Sequence, residues 1–269
     1  MTFGLPKGII NMGTTCFLNA VLQSIFNMNH VILLFLKTRL CTIPEDKKKI
    51  FQILKHHILQ YYYKKSKNIH VLSIYKSLPK YLQDIRIQQD ADECMNFPLN
   101  EIMDIFKHKN LFLIETKQIN IKKKEIQKMK ELSLYLDIPD KKNVTMFDCI
   151  QTFLNPFGTN QNDKRMYIEN IGNYMVVTLK RFIIDKNNKY IKSNKRVEPM
   201  FSFSIDTSKL ILTTVIIHEG THAGSGHYVS CIKKNKDWFL CNDQHISSIS
   251  FETLKQKIAM GYVFIYQKI

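Results

Sequence analysis

Gly8-Ile-Ile-Asn11-Met-Gly13-Thr14-Thr-Cys16-Phe17-Leu-Asn-Ala-Val-Leu-Gln23 places a lone cysteine where a glycine-bearing loop runs into a helical pattern. Phe17, Val21, Leu22, Ile25 and Phe26 recur at three- and four-residue spacings, which predicts a helix with one buried stripe beginning at Cys16. A thiol there is chemically primed, because the unpaired N–H groups and positive pole of a helix N-terminus favour the thiolate. Gly13 permits the tight backbone such an entry needs. Asn11, upstream on the same loop, has an amide able to donate to the oxyanion of a tetrahedral intermediate, beside the Cys16 backbone N–H. Loss of one such donor costs about 3–4 kcal/mol of transition-state stabilisation. The plainer fate of a free cysteine is a small buried apolar residue, so the reading of Cys16 as a nucleophile turns on finding its base.

A candidate base lies near the other end of the chain, in His218-Glu-Gly220-Thr-His222-Ala-Gly224-Ser-Gly226-His227-Tyr228. The glycines before His227 let backbone approach a ligand closely, and Tyr228, Val229 and Ile232 continue as a strand. A general base must reach the thiol and be oriented by a third group. A hairpin turning at 233–237 returns Asn242 beside His227. An asparagine suffices there, since it has only to accept the ring N–H and fix the tautomer. His30, His56, His57, His70, His108 and His245 read as ordinary core or surface residues.

Between the two halves, residues 50–62 repeat the helical pattern, and a third helix follows Gln89-Asp90, with Pro98 expected to kink it or end it early. Strands are predicted at 132–138, 174–184, 210–217, 228–232, 238–241 and 262–266. A helix opens at Thr145 as N-cap, with Asp148 in its first turn. The stretch 158–164 is the best loop candidate. Helices first and strands after predict an α+β fold with segregated layers, in which the cysteine helix presents Cys16 to His227 across a groove.

The 269 residues, 45% of them apolar, are enough for one large domain or two small ones with a real core. Six cysteines stand at 16, 41, 94, 149, 231 and 241 without a CxxC pair, so no zinc site or disulfide framework is legible. The N-terminus shows no secretory pattern, and the longest aliphatic run, 31–36, is too short to cross a bilayer. A reducing intracellular setting, cytoplasmic or nuclear, suits an unpaired reactive thiol. The net charge of +16, from 39 basic and 23 acidic residues, raises nucleic-acid binding as a rival. Lys, Asn and Ile are abundant throughout, however, as AT-rich codon usage produces, and no nucleic-acid motif is present.

The two terminal stretches resemble the cysteine and histidine boxes of the ubiquitin-specific proteases, a family of deubiquitinating cysteine peptidases. Four further blocks occur in that family's order. Gln88-Gln89-Asp90-Ala-Asp92-Glu93 is similar to its glutamine-glutamine-aspartate box, with Asp92 in place of the usual histidine. Leu179-Lys-Arg181-Phe182 is similar to its leucine-lysine-arginine-phenylalanine signature, Lys195-Arg-Val197 to the segment after it, and Gly261-Tyr-Val-Phe-Ile-Tyr266 to its closing strand. The resemblance implies a papain-like cysteine protease fold with a helical thumb and a β-sheet palm, in one catalytic domain over 1–269 (helical to 110, β from 111). It implies a reduced, zinc-free fingers region, since many members carry two CxxC pairs there.

By the same resemblance Cys16 is the nucleophile, His227 the base, Asn242 the third catalytic residue, Asn11 the oxyanion donor and Asp243 an auxiliary. Gln89 supports the site, while Asp90 and Glu93 pair with arginines of the ubiquitin tail. Gly220, Gly224 and Gly226 are candidates for the wall of a channel for a Gly-Gly terminus, and Gly220, Gly226 and Tyr228 are substrate-binding candidates. The implied partner is ubiquitin or a ubiquitinated protein, without cofactor, nucleic acid or membrane, and a monomer is assumed. The source suggested by size and codon bias is a large DNA virus or an intracellular parasite acting in its host. The alternatives are a ubiquitin-binding module without turnover, a protease for another Gly-Gly-ended modifier, and a basic nucleic-acid-binding protein.

Overall fold

The structure, a computed structural model, describes residues 4–84, 86–107, 109–120, 123–155, 164–184, 188, 190–222 and 224–269. It is a mixed helix and sheet fold. The helices Cys16–Ile25, Asn29–Lys37, Lys48–Tyr63 and Ala91–Ile105 come first, and an eight-stranded sheet dominates the rest of the chain. Along that sheet the strands lie in the order His245–Ile249, Asp237–Asn242, His227–Lys234, Ser208–Glu219, Gly261–Lys268, Tyr174–Leu179 and Ser133–Leu136, with Ser202–Ile205 paired to part of Ser208–Glu219. All pairs are antiparallel except the last along the sheet, where Ser133–Leu136 runs parallel to Tyr174–Leu179.

Period-two alternation gives the sheet two apolar faces, and each is covered. Tyr174, Val176, Ile216, Tyr228, Val263 and Ile265 face the helices of the first half. Val177, Val215, Ile217, Val229, Cys231 and Phe264 face the opposite way, onto the helices Met146–Leu154 and Phe251–Ile258. Cys16–Ile25 is buried along its whole length between the sheet and Ala91–Ile105. Such a helix cannot shift without opening the core on both sides, so its first residue is held firmly.

Several expectations needed correction. Pro98, expected to kink its helix or end it early, does not end it: the helix runs from Ala91 to Ile105 with Pro98 buried inside it. A proline costs the bond its missing N–H would make and crowds the preceding turn, but here burial of Met95, Leu99 and Ile102 holds the helix together. The strand expected over 174–184 is two strands, Tyr174–Leu179 and Phe182–Ile184. The chain leaves the ladder because Arg181 turns inward and is fully buried. Its guanidinium donates to the carbonyls of Gly261 at 2.7 Å, Lys195 at 2.7 Å, Ser193 at 3.1 Å and Ala259 at 3.1 Å.

The extension foreseen in the middle of the chain is a three-stranded antiparallel sheet, Ile114–Asn120 between Glu125–Glu131 and Lys164–Ile171. Lys130–Glu115 at 2.7 Å, Lys128–Glu169 at 3.0 Å and Lys117–Glu169 at 3.6 Å link its strands. Among the described residues, no group of three His, Cys, Asp or Glu side chains is placed to hold a metal ion. Most of the loop expected at 158–164 lies outside the described residues, as does His108.

Candidate active site

The loop before Cys16 is built around Asn11 and Gly13. Gly13 has φ +120°, a conformation that an L side chain resists. Thr15, the residue capping the helix, turns back on the loop: its hydroxyl accepts from the Met12 N–H at 2.9 Å and donates to Asn11 Oδ1 at 3.1 Å. No acidic side chain occupies the first helical turn, so the positive pole of the helix is left facing the thiol.

A two-residue turn, Asp243-Gln244, joins the strands Asp237–Asn242 and His245–Ile249 and draws the distant halves together. Asp243 takes φ 50°, in the left-handed region that aspartate tolerates at hairpin turns. Its carbonyl accepts the Ile9 N–H at 2.9 Å. Its carboxylate accepts from Asn11 Nδ2 at 2.8 Å and Asn19 Nδ2 at 2.7 Å. Asn19 lies one helical turn past Cys16 on the same face, and it also donates to the Ile9 carbonyl at 3.3 Å. The cysteine loop, the cysteine helix and the hairpin after His227 are thus knotted through one carboxylate.

That knot brings Cys16, His227 and Asn242 into one row. His227 Nε2 lies 2.7 Å from Asn242 Oδ1, which leaves Nδ1 as the ring nitrogen for the thiol. Asp243 Oδ2 is further off, 3.8 Å from His227 Nε2. Cys16 is buried, and His227 and the Tyr228 backbone N–H are among the groups that act on its thiol. Burial alone pushes a thiol up, but His227, the Tyr228 N–H and Gln88 together bring Cys16 below the ordinary thiol value. The hydrogen bond to Cys16 and that to Asn242 outweigh burial at His227 and raise it to about 9. The contacts that hold the proton on His227 thus favour the thiolate form of Cys16.

Residues 88–93 pack against this row, with roles that differ from those expected. The glutamine at the thiol is Gln88, not Gln89: Gln88 Nε2 lies 3.7 Å from Cys16 Sγ and donates to the Gly226 carbonyl at 2.7 Å. Asp90 is the N-cap of Ala91–Ile105, accepting from the N–H groups of Asp92 at 2.7 Å and Glu93 at 3.2 Å. It also accepts from the Tyr262 hydroxyl at 3.1 Å and lies 3.5 Å from that of Tyr228. Its oxygens are therefore engaged within the protein, in the role of a helix cap. Glu93 stays exposed.

Asp92 is buried and accepts from Thr178 Oγ1 at 2.6 Å and the Tyr135 hydroxyl at 3.0 Å. Burial raises its carboxyl to about 6. Tyr228, expected among the substrate-binding residues, is buried beneath the site against His218, with ring centroids 4.7 Å apart. Gly226 lies where only a glycine fits, since an added Cβ would come within 2.3 Å of the Glu219 carbonyl and 2.5 Å of His218 Nε2. The Gly220 carbonyl, with that of His218, accepts from the buried ammonium of Lys192, at 2.6 and 2.7 Å. Gln88, Asn19 and Lys192 were missed by sequence reasoning. Asn19 had a signal in its helical spacing from Cys16, whereas Gln88 and Lys192 are tied to residues remote in the chain.

The model of the family described as ubiquitin carboxyl-terminal hydrolase matches residues 7–266. The chain is similar to ubiquitin carboxyl-terminal hydrolase 15 of Schizosaccharomyces pombe, 24% identical over 294 residues that take in 95% of this chain and 25% of that protein. It is also similar to ubiquitin carboxyl-terminal hydrolase 47 of Homo sapiens, 37% identical over 70 residues, 24% of this chain and 5% of that protein. The chain thus spans about a quarter of the length of the fission-yeast relative. Among solved structures it resembles the SAGA Ubp8/Sgf11/Sus1/Sgf73 DUB module with TM-score 0.81 and 21% identity, over 100% of this chain and 70% of that one. The same module bound to ubiquitin aldehyde gives TM-score 0.80 at 21% identity, with coverage of 100% and 70%. At that identity the likeness is one of fold.

Proposed function

The chain belongs to the ubiquitin carboxyl-terminal hydrolase family, and from that premise we propose that it is a thiol-dependent deubiquitinase, hydrolysing the peptide or isopeptide bond after the last glycine of ubiquitin. The observation that carries the reading is the row Cys16–His227–Asn242, in which the histidine that lowers the buried thiol has its Nε2 2.7 Å from Asn242 Oδ1.

In the proposed reaction His227 holds the proton taken from Cys16, and Asn242 fixes the ring so that Nδ1 faces the sulfur. The thiolate attacks the glycine carbonyl, forming the C–S bond and moving the carbonyl electron pair onto oxygen. The Cys16 backbone N–H and the second Nδ2 hydrogen of Asn11 (the first is held by Asp243) stabilise that oxyanion. Collapse expels the amine, which leaves with the proton from His227, and water then releases the acyl group by the reverse sequence. Glu93, exposed at the start of its helix, is the acid proposed to meet an arginine of the substrate tail. A reducing compartment, cytoplasm or nucleus, suits a thiolate of this kind.

The test is covalent capture. Ubiquitin bearing a C-terminal electrophile is expected to form a one-to-one adduct under reducing conditions, and Cys16→Ala to form none. A protein that stays unmodified overturns the reading.

A further inference from the structure

Gln88 stands where the two halves of the site meet, and its hydrogen bonds do not look like those of a structural residue. The Gly226 carbonyl can only accept, so the 2.7 Å contact fixes which end of the Gln88 amide is nitrogen. One Nε2 hydrogen is spent there. The nitrogen lies 3.7 Å from Cys16 Sγ, leaving its second hydrogen for the sulfur. Oε1 is shielded from solvent and has no hydrogen-bond partner among the described residues. The amide is thus held by its donor end alone, and that end points at the reacting atom.

Its anchor is rigid. Gly226 is pressed against the His218 ring and the Glu219 carbonyl, with no room for a side chain. By contrast, the Asn11 amide is tied at both ends: Oδ1 accepts from the Thr15 N–H and hydroxyl, and one Nδ2 hydrogen goes to Asp243.

We propose that Gln88 is a further catalytic residue, donating its second Nε2 hydrogen to the Cys16 thiolate in the resting site and to the oxyanion once the carbonyl carbon bonds to sulfur. The inference rests on the deubiquitinase reading. No proton leaves Gln88 during the reaction. As the C–S bond forms, negative charge moves from sulfur to the carbonyl oxygen, and the N–H follows the charge over a short distance. A donor that binds this charge more strongly in the transition state than in the ground state raises kcat and leaves KM nearly unchanged.

The test compares two reactions of the same thiol. Gln88→Met keeps the length of the side chain and removes both N–H groups; Gln88→Leu removes them too, and neither adds a charge beside the thiolate. With a fluorogenic amide of ubiquitin at pH 8, both variants are expected to lose about 100-fold in kcat, with KM within about threefold of wild type. Alkylation of Cys16 by iodoacetamide passes through no oxyanion, so it is expected to slow by no more than about threefold, which also reports an intact site. Equal losses in the two reactions overturn the inference, because Gln88 would then act on the thiolate or the fold alone. Unchanged turnover of the ubiquitin amide by Gln88→Met overturns it as well. A wild-type protein that does not turn the amide over overturns the deubiquitinase reading and this inference with it.

Discussion

Cys16 is buried, and burial by itself works against its ionisation, so the low thiol pKa depends on a few hydrogen bonds rather than on exposure to water. That makes the reactivity of the residue separable from its position. In wild type, alkylation of Cys16 by iodoacetamide is expected to titrate below the ordinary thiol range of about 8.5. The alkaline limb of ubiquitin turnover is expected near 9, where His227 loses the proton it must give to the leaving amine. His227→Ala removes the largest stabilising partner and leaves the burial. The alkylation midpoint is therefore expected to move past that of a free cysteine, not merely back to it. A pH profile for His227→Ala that remains below about 8.5 would show that helix and backbone donors alone hold the thiolate.

At the scale of elements, the site depends on segments that are not themselves reactive. Arg181 interrupts a strand in order to tie four backbone carbonyls, on residues 193–195 and 259–261. Those carbonyls belong to the chain just after the Tyr190–Lys192 strand and around the start of the Gly261–Lys268 strand. Gly261–Lys268 carries Tyr262, whose hydroxyl supports Asp90 and with it the helix start beside Gln88. Arg181→Met is expected to cost about 3–5 kcal/mol in urea unfolding, since buried carbonyls lose their donors together. Arg181→Lys is expected to recover little, because one ammonium cannot span four acceptors. A loss below about 1 kcal/mol for Arg181→Met would assign those carbonyls other partners.

On the scale of the whole molecule, the helical half and the sheet half each carry part of the site, and the Asp243-Gln244 turn fastens them together. The small three-stranded sheet lies apart from that junction and is held by backbone ladders and a few ion pairs between partly exposed side chains. Such pairs contribute about 0–1 kcal/mol each, so its stability rests mainly on the ladder and on Ile114 and Ile171, which reach the main core. Thermal unfolding and turnover of a ubiquitin substrate are therefore expected to be unchanged after exhaustive dialysis against a chelator. A lowered transition that zinc restores would reveal a metal holding this sheet.

The amino-acid sequence by itself determined which chemical groups are present and on which kinds of element they stand. A thiol at a helix start, a histidine at a strand start and an asparagine across a short hairpin are local features, written in the spacings of the chain. Six blocks in order were enough to indicate the fold class, though not the three strands of the small middle sheet. The division of labour among neighbours was different, because it depends on contacts between residues far apart in the chain. Gln88 and Gln89 are the same residue type side by side, and only the Gly226 carbonyl, brought up by the sheet, selects Gln88 for the thiol. Whether Asp90 caps a helix is not legible until the helix behind it and the hydroxyls of Tyr228 and Tyr262 are seen to meet its oxygens. The inward turn of Arg181 and the central place of Asp243 likewise arise from where buried polar groups find partners. The tertiary structure decided these matters because buried hydrogen bonds must be satisfied, and their partners come from whichever segments the packed core brings together.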